Sequence, residues 1–287
     1  MGTSNTIQRL YWRMDSLKHL HNFSDTLQGR DQPMPAFFIG HGSPMNGIED
    51  NAFSRSWADL GKTLPEPAAV LCISAHWLTE GTHVTAMEQP RTIHDFYGFP
   101  QALFQVRYPA PGSPELAKAT AEQVTMTTVA LDHEWGLDHG TWSVVRQMYP
   151  DAKIPVLQLS IDYGKPASYH YALAQELAAL RKKGVLIIGS GNMVHNLRML
   201  NWRQPEGGFD WAEEMNDTFK SLIEKEEHGK LTDYSALGPA AKLAIPTPDH
   251  YYPLLYALGL KSKGESVAFF NDQLTMGSVS MTSVKIH

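Results

Sequence analysis

The sequence predicts an α/β fold, a three-layer α/β/α sandwich around a mostly parallel central sheet, on three observations. Short runs that are apolar at every position, such as "AVLCIS" and "VLIIG", read as strands covered on both faces. Between them lie segments with helical periodicity and recognisable start and stop residues. The two kinds of segment alternate along most of the chain, as they do where helices cross over between parallel strands.

Taken in order, residues 1–33 stand apart as a polar, irregular N-terminal extension, in which Leu10, Met14, Leu17 and Leu20 fall near helical spacing. Residues 34–287 are expected to form one α/β domain, with no internal repeat or linker. Strands are expected at 36–40, 68–75, 82–87, 154–160 and 185–189, with later ones at 266–270 and 279–286. Helices are expected over about 51–63, 114–125, 141–149, 167–183 and 209–228. "SPELAKATAEQV" opens on Ser113, Pro114 and Glu115, which supply a cap, a preset φ and a negative charge at the positive end of the helix. "PASYHYALAQELAALRKKG" carries alanine and leucine at helical spacing, basic residues in its last turn and Gly184 as a stop. A further helix is expected to open near Asp249 and His250, after Pro246 and Pro248 fix an extended approach.

Composition narrows the function classes. At 287 residues, 43% hydrophobic and 19% charged, the chain has material for a large core and is not a disordered sequence. A net charge of −6 argues against a phosphate-binding footprint, so no nucleic acid is expected as a partner. The apolar runs are too short to cross a bilayer, and the N-terminus lacks the pattern of a signal peptide; a cytoplasmic protein with no membrane partner is expected. Cys72 is the single cysteine, which excludes an intrachain disulfide and a thiolate metal cluster. Inside "AVLCIS" it reads as a small buried hydrophobe. Any metal is therefore held by nitrogen and oxygen, and 13 histidines make that feasible.

Three of those histidines recur in one setting. "FFIGHGSP" breaks an apolar strand at His41, with Gly40 and Gly42 leaving the imidazole open to close approach. "VLCISAHW" ends a strand on His76, and in "VLIIGSGNMVHNL" His195 follows a glycine-rich turn. Open α/β sheets bind ligands outside the carboxyl ends of their strands, where these side chains can converge. "IPTPDHYY" adds Asp249 beside His250; either can complete a metal site, or Asp249 can cap the helix while His250 packs. "TIHDFYGFP" (His94, Asp95, Phe96, Tyr97) and "HEWGLDHGTW" (His133, Trp135, Asp138, His139, Trp142) have the polar and aromatic mixture of loops that line a pocket for an aromatic ligand. Of their histidines, His139 before Gly140 is the stronger candidate, although Asp138 and His139 also fit a surface turn and a helix cap. "GSGNMV" and "GHGSPM" lack the last glycine of a dinucleotide fingerprint. No G-x-S-x-G elbow is present, which argues against Ser43 and Ser190 as nucleophiles, and there is no Walker lysine or H-E-x-x-H.

Together "GHGSPMN", "SAHW", "TIHDFYGFP", "YPAPGSPELA", "DHGTW", "SGNMVHNLR" and "PTPDHYYPLLY" closely resemble the class III extradiol ring-cleaving dioxygenases. Within them the match is to the DOPA 4,5-dioxygenase-like branch, related to the catalytic subunit of protocatechuate 4,5-dioxygenase. It runs in order from about residue 34 to the C-terminus. The resemblance implies that His41, His76 and His250 are metal ligands, the last standing where the protocatechuate relatives use glutamate. It implies that His195 is the acid/base group, close enough to the metal to ligate it in some members, and that His139 contacts substrate.

The resemblance further implies a non-heme iron(II) (Fe(2+)) oxidoreductase that opens a catechol ring beside its hydroxyls, with L-DOPA or a related catechol giving a muconic semialdehyde. Its partners would be a small catechol and dioxygen, and the protein a monomer or small homo-oligomer. Replacing a carboxylate by an imidazole also suits zinc (Zn(2+)). Two other readings use the same histidines: a zinc-dependent hydrolase that activates water, with Asp249 or His195 as base, and a non-catalytic relative that binds metal or a phenol.

Overall fold

The computed structural model describes residues 32–287. The helical spacing read between Leu10 and Leu20 lies outside the described residues. Ten strands are present among them: β1 (Ala36–Gly40), β2 (Ala69–Thr79), β3 (Thr82–Thr85), β4 (Val129–Asp132), β5 (Val156–Asp162), β6 (Val185–Gly191), β7 (Val267–Phe270), β8 (Leu274–Thr275), β9 (Val279–Ser280) and β10 (Ser283–Ile286). Eight form one sheet in the order β4-β3-β5-β2-β6-β1-β10-β7, and β8 pairs with β9 in a small ribbon.

Neighbours β5, β2, β6 and β1 run parallel, and all but the end of β2 is buried. Their residues alternate between two cores, as a period of two requires. Phe38, Leu71, Ile73 and Ile187 point to one core, shared with the helices Ala167–Lys182, Asp210–Glu224 and Tyr252–Gly259. Phe37, Ile39, Cys72 and Ile188 point to the other, where Trp57 and Trp142 come from the helices Ala52–Thr63 and His139–Met148. The three-layer arrangement expected from the sequence is therefore the one observed. Cys72 is fully buried, and burial pushes its thiol well up, so it remains a neutral core group.

The sheet is more mixed at its margins than the alternation implies. β3 is antiparallel to β5, and β10 is antiparallel to both β1 and β7. The expected strand 279–286 is broken at Met281 and Thr282 into β9 and β10. β4 leaves no signal in the sequence because it is four residues long with only Val129 buried. The short helices Gln101–Phe104, His228–Thr232 and Pro239–Ala244 leave none either, being too brief to show a period. β2 runs past the expected end to Thr79, and its register against β5 shifts between Ile73 and Leu78. His76 thus sits inside a distorted stretch of strand rather than beyond its end. No helix among the described residues is long and apolar enough to cross a membrane.

One buried ion pair locks the amino ends of the strands. Arg181 reads in the sequence as a basic residue of a last helical turn, yet it is 1% exposed. Its Nε donates to Met34 O and its Nη1 to Leu260 O, both at 2.7 Å, and the guanidinium forks onto Glu265. It thereby joins the lead-in to β1, the end of the Tyr252–Gly259 helix and the lead-in to β7. Burial pushes the Glu265 carboxyl up, but the hydrogen bonds and charge of Arg181 outweigh it and hold the group below its usual 4.5. A carboxylate depressed in the folded state stabilises above its unfolded pKa and loses that contribution as pH falls. Arg181→Leu is expected to cost about 2–4 kcal/mol at neutral pH, because it leaves two carbonyls without their donor and the partly buried Glu265 carboxylate with only the Ser262 N–H. Denaturant unfolding should show the difference, and the gap to wild type should narrow below about pH 4.5.

Candidate metal centre

Adjacent strands β2, β6 and β1 deliver their histidines to one end of the sheet. His41 follows β1 directly, and its N–H donates to Gly191 O at 3.0 Å, extending the ladder with β6 by one step. His76 comes from the distorted part of β2. After β6, the N–H of Asn192 donates to His250 O at 2.9 Å, which pins the turn before the Tyr252–Gly259 helix against the strand end. His195 is fixed by its N–H to Ala244 O at 2.9 Å. His139 is the first residue of its helix, capped by the Asp138 carboxylate on Thr141 N–H.

The rings cluster. From the His41 centroid, those of His76, His250 and His139 lie at 5.1, 5.3 and 5.5 Å. His76 and His139 are 3.9 Å apart, and His195 stacks on His250 at 3.5 Å with planes 9° apart. One ring nitrogen from each of His41, His76 and His250 falls within 4.8 Å of the others. Asp95 with His76 and His139, and Asp249 with His195 and His250, form two overlapping groups of the same size.

Hydrogen bonding behind the rings decides what they present in front. His41 Nδ1 lies 3.0 Å from Ser190 Oγ, and that hydroxyl spends its proton on Gly140 O at 2.6 Å. Ser190 therefore accepts, His41 Nδ1 carries the hydrogen, and Nε2 is a lone pair. His250 Nδ1 meets the Asp249 carboxylate, an acceptor only, so its Nε2 is a lone pair too. His41 Nε2 lies 3.2 Å from His76 Nε2, so in the metal-free protein the His76 Nε2–H can donate to it, and a cation held by both nitrogens takes the place of that hydrogen. His41, His139 and His250 are 1%, 5% and 7% exposed, so little water reaches the arrangement. Burial, followed by the neighbouring histidines, lowers His41 and His76 well below the ordinary imidazole pKa. Burial and His250 lower His195 as well, against the opposing charge of Asp249. Burial pushes Asp249 up, but its hydrogen bond and charge interaction with His250 dominate and hold it below the usual carboxylate range. Neutral imidazoles with converging lone pairs, each buttressed from behind, are what a borderline divalent metal requires.

The five histidines to which the resemblance gives site roles, His41, His76, His139, His195 and His250, meet here. Asp249 pairs with His250 and makes no side-chain cap on the following helix. Asp138 is a helix cap but not part of a surface turn, being fully buried and held also by Ser74 Oγ at 2.7 Å and Gln158 Nε2 at 2.6 Å. His94 bonds Val106 O and His133 is exposed, so neither joins the cluster. The glycines around His41 have a packing role that the sequence does not show. A side chain on Gly40 would strike the Met281 backbone at 2.7 Å, and Gly42, at φ +58°, lies against the Met281 sulfur. They make room for Met281, which is 1% exposed. Ser190 and Asp95 are partners that the sequence does not connect to these rings, since only the fold brings them together. Phe96, which the loop "TIHDFYGFP" does suggest, puts its ring 5.6 Å from that of His139 and packs on Phe99, Phe104 and Trp142.

With this geometry, residues 35–283 match the family described as the catalytic LigB subunit of aromatic ring-opening dioxygenase. A 4,5-DOPA dioxygenase extradiol of Escherichia coli K12 is 50% identical over 257 residues, covering 88% of this chain and 94% of its own. A 4,5-DOPA dioxygenase extradiol of Beta vulgaris is 37% identical over 264 residues, covering 89% and 97%. A crystal structure of an uncharacterized protein from Escherichia coli K12 superposes with a TM-score of 0.78 at 46% identity, over 88% of this chain and all of that one.

Gly140 has a role the site can be tested on. A Cβ there would stand 2.5 Å from Ser74 Oγ and 2.9 Å from His76 Cδ2. Gly140→Ala is therefore expected to displace the His76 ring, lowering zinc affinity about tenfold or more and stability by about 1–3 kcal/mol. Zinc titration against a competing chelator, with denaturant unfolding alongside, measures both; wild-type affinity would show that this contact does not hold His76.

Proposed function

Because the chain belongs to the family of catalytic LigB subunits of aromatic ring-opening dioxygenases, we propose that it opens a catechol ring beside its two hydroxyls, with L-DOPA or a close relative as substrate, 4,5-cleavage and a muconic semialdehyde product. It is an oxidoreductase whose co-substrate is dioxygen. The same reading treats residues 34–287 as one catalytic unit and residues 1–33 as an extension to it. One observation carries it within the site: lone pairs of buried imidazoles converge, while a further histidine beside them keeps its ring nitrogens free.

His41, His76 and His250 would hold the metal, for which we propose iron(II). When bound, iron(II) supplies the one-electron chemistry through which dioxygen reacts with a catechol, and positions for both reactants. The remaining work falls to the chain. His195 stacks on His250, and its ring nitrogens make no hydrogen bond among the described residues, so they are available to a substrate hydroxyl. It would take a proton as the catechol binds and return one as the ring opens. His139, on the side of His76, would orient the second hydroxyl, with the Phe96 ring available to face the substrate. The burial of His41, His139 and His250 excludes bulk water from the reacting groups.

Metal-free protein reconstituted anaerobically with iron(II), and separately with zinc, tests this directly. Adding L-DOPA and simpler catechols should give oxygen uptake and a yellow product with iron alone. No uptake from any catechol with stoichiometric iron bound would overturn the reading. In the same assay His195→Ala is expected to bind iron as wild type does and to lose about 10²–10⁴ in kcat. Full turnover in that variant would remove His195 from the proton-transfer role.

A further inference from the structure

We propose that Asp95 is a positioning residue that sets two imidazoles of the site at once, His76 on the metal side and His139 on the substrate side. The inference rests on the roles proposed for those rings and adds the group that ties them together. Asp95 Oδ2 lies 2.9 Å from His139 Nδ1 and 3.3 Å from His76 Nδ1, while Oδ1 accepts the backbone N–H of His139 at 2.9 Å. An ionised carboxylate offers acceptors only, so an Nδ1 that donates to it leaves the same ring's Nε2 as a lone pair; His139 makes that bond in the structure, and His76 Nδ1, at 3.3 Å, makes it once a metal displaces the hydrogen from its Nε2. For His76 that is the nitrogen facing His41, and it is the tautomer a metal ligand needs. For His139 it leaves an acceptor at Nε2, so this ring takes a hydrogen bond from a catechol hydroxyl instead of giving one.

The carboxylate is itself held by backbone. Residues 91–95 lie alongside 135–139, with Ile93 N–H on Leu137 O at 2.7 Å and Leu137 N–H on Arg91 O at 2.8 Å. Trp142 Nε1 donates to Ile93 O at 2.8 Å from the next helical turn. The Asp95 side chain is 17% exposed, and the two rings it contacts pack against each other with centroids 3.9 Å apart. Metal grip and substrate contact therefore share one anchor.

Two measurements test the proposal. In zinc-loaded, ¹⁵N-histidine-labelled full-length protein, two-bond ¹H–¹⁵N correlations should show both His76 and His139 protonated at Nδ1. Finding either as the Nε2–H form overturns it. Asp95→Asn keeps the shape and replaces one acceptor oxygen by a donor. It is expected to weaken zinc binding about 10–100-fold in chelator competition, and to raise the KM for L-DOPA in the iron-loaded enzyme. Zinc affinity within about twofold of wild type in a folded Asp95→Asn protein would also overturn it. Should that variant fail to fold, the tautomer measurement on the unmutated chain still decides. Neither tautomers nor zinc affinity depends on turnover. A wild-type protein that cleaves no catechol would defeat the functional reading while leaving Asp95 to be judged on these two readouts.

Discussion

His41 and His250 turn the lone pairs of their Nε2 atoms into one largely buried space, where they repel each other, and most of the local structure exists to hold them there. Left free, His41 and His250 would rotate or exchange tautomers to escape the contact. Each is prevented by a partner behind the ring, Ser190 for His41 and Asp249 for His250. The restraint passes back a further layer, because Ser190 is oriented by Gly140 O at the start of the His139–Met148 helix. A cation relieves the repulsion and turns the cost of assembling the cluster into binding energy.

The sheet sets where the rings can stand. β2, β6 and β1 are adjacent and parallel, so their carboxyl ends open onto the same space. Regular strands alone would not suffice. The register shift in β2 between Ile73 and Leu78 carries His76 toward the cluster while the strand continues to Thr79. The break between β9 and β10 lets Met281 fold over Gly40 and Gly42, closing the space beside His41. At the opposite ends of the strands Arg181 ties three segments together, so the histidine end can be irregular while the other end is locked.

How much of this is legible in the sequence depends on range. A strand that is apolar at every position announces its own burial, and a histidine at its end announces a side chain in the crevice, so His41, His76 and His195 can be placed together from the chain alone. Asp249 and His250 are neighbours in the chain, and their pairing is open only as to purpose. Asp95 stands out in its loop but cannot be connected to His139, 44 positions away, because no local period encodes that contact. Ser190 reads in "IIGSGN" as a nucleophile candidate without its elbow, and nothing nearby marks it as a partner of His41, 149 positions distant. The glycines around His41 show a need for space but not what fills it. Pattern reveals which residues the fold brings to one end; the partner behind each ring depends on loop geometry.

The position of the carboxylates bears on which metal the site accepts. A ligand set of imidazoles alone is neutral, whereas the negative charge near it sits one shell out, on Asp249 behind His250 and Asp95 behind His76. Carboxylates placed this way fix the tautomer and orientation of the rings they touch without occupying a coordination position. They therefore strengthen the hold on any divalent ion that favours nitrogen. Neutral nitrogen donors rank zinc above iron(II) in intrinsic affinity, so the cluster has no electrostatic means of rejecting zinc. With the proposed iron(II) and catechol, selection for iron would have to come from supply and from substrate, since a chelating catechol adds oxygen donors of its own that the imidazoles lack. On this view any metal bound there would report the conditions under which it was loaded, while the outer carboxylates report what the fold contributes.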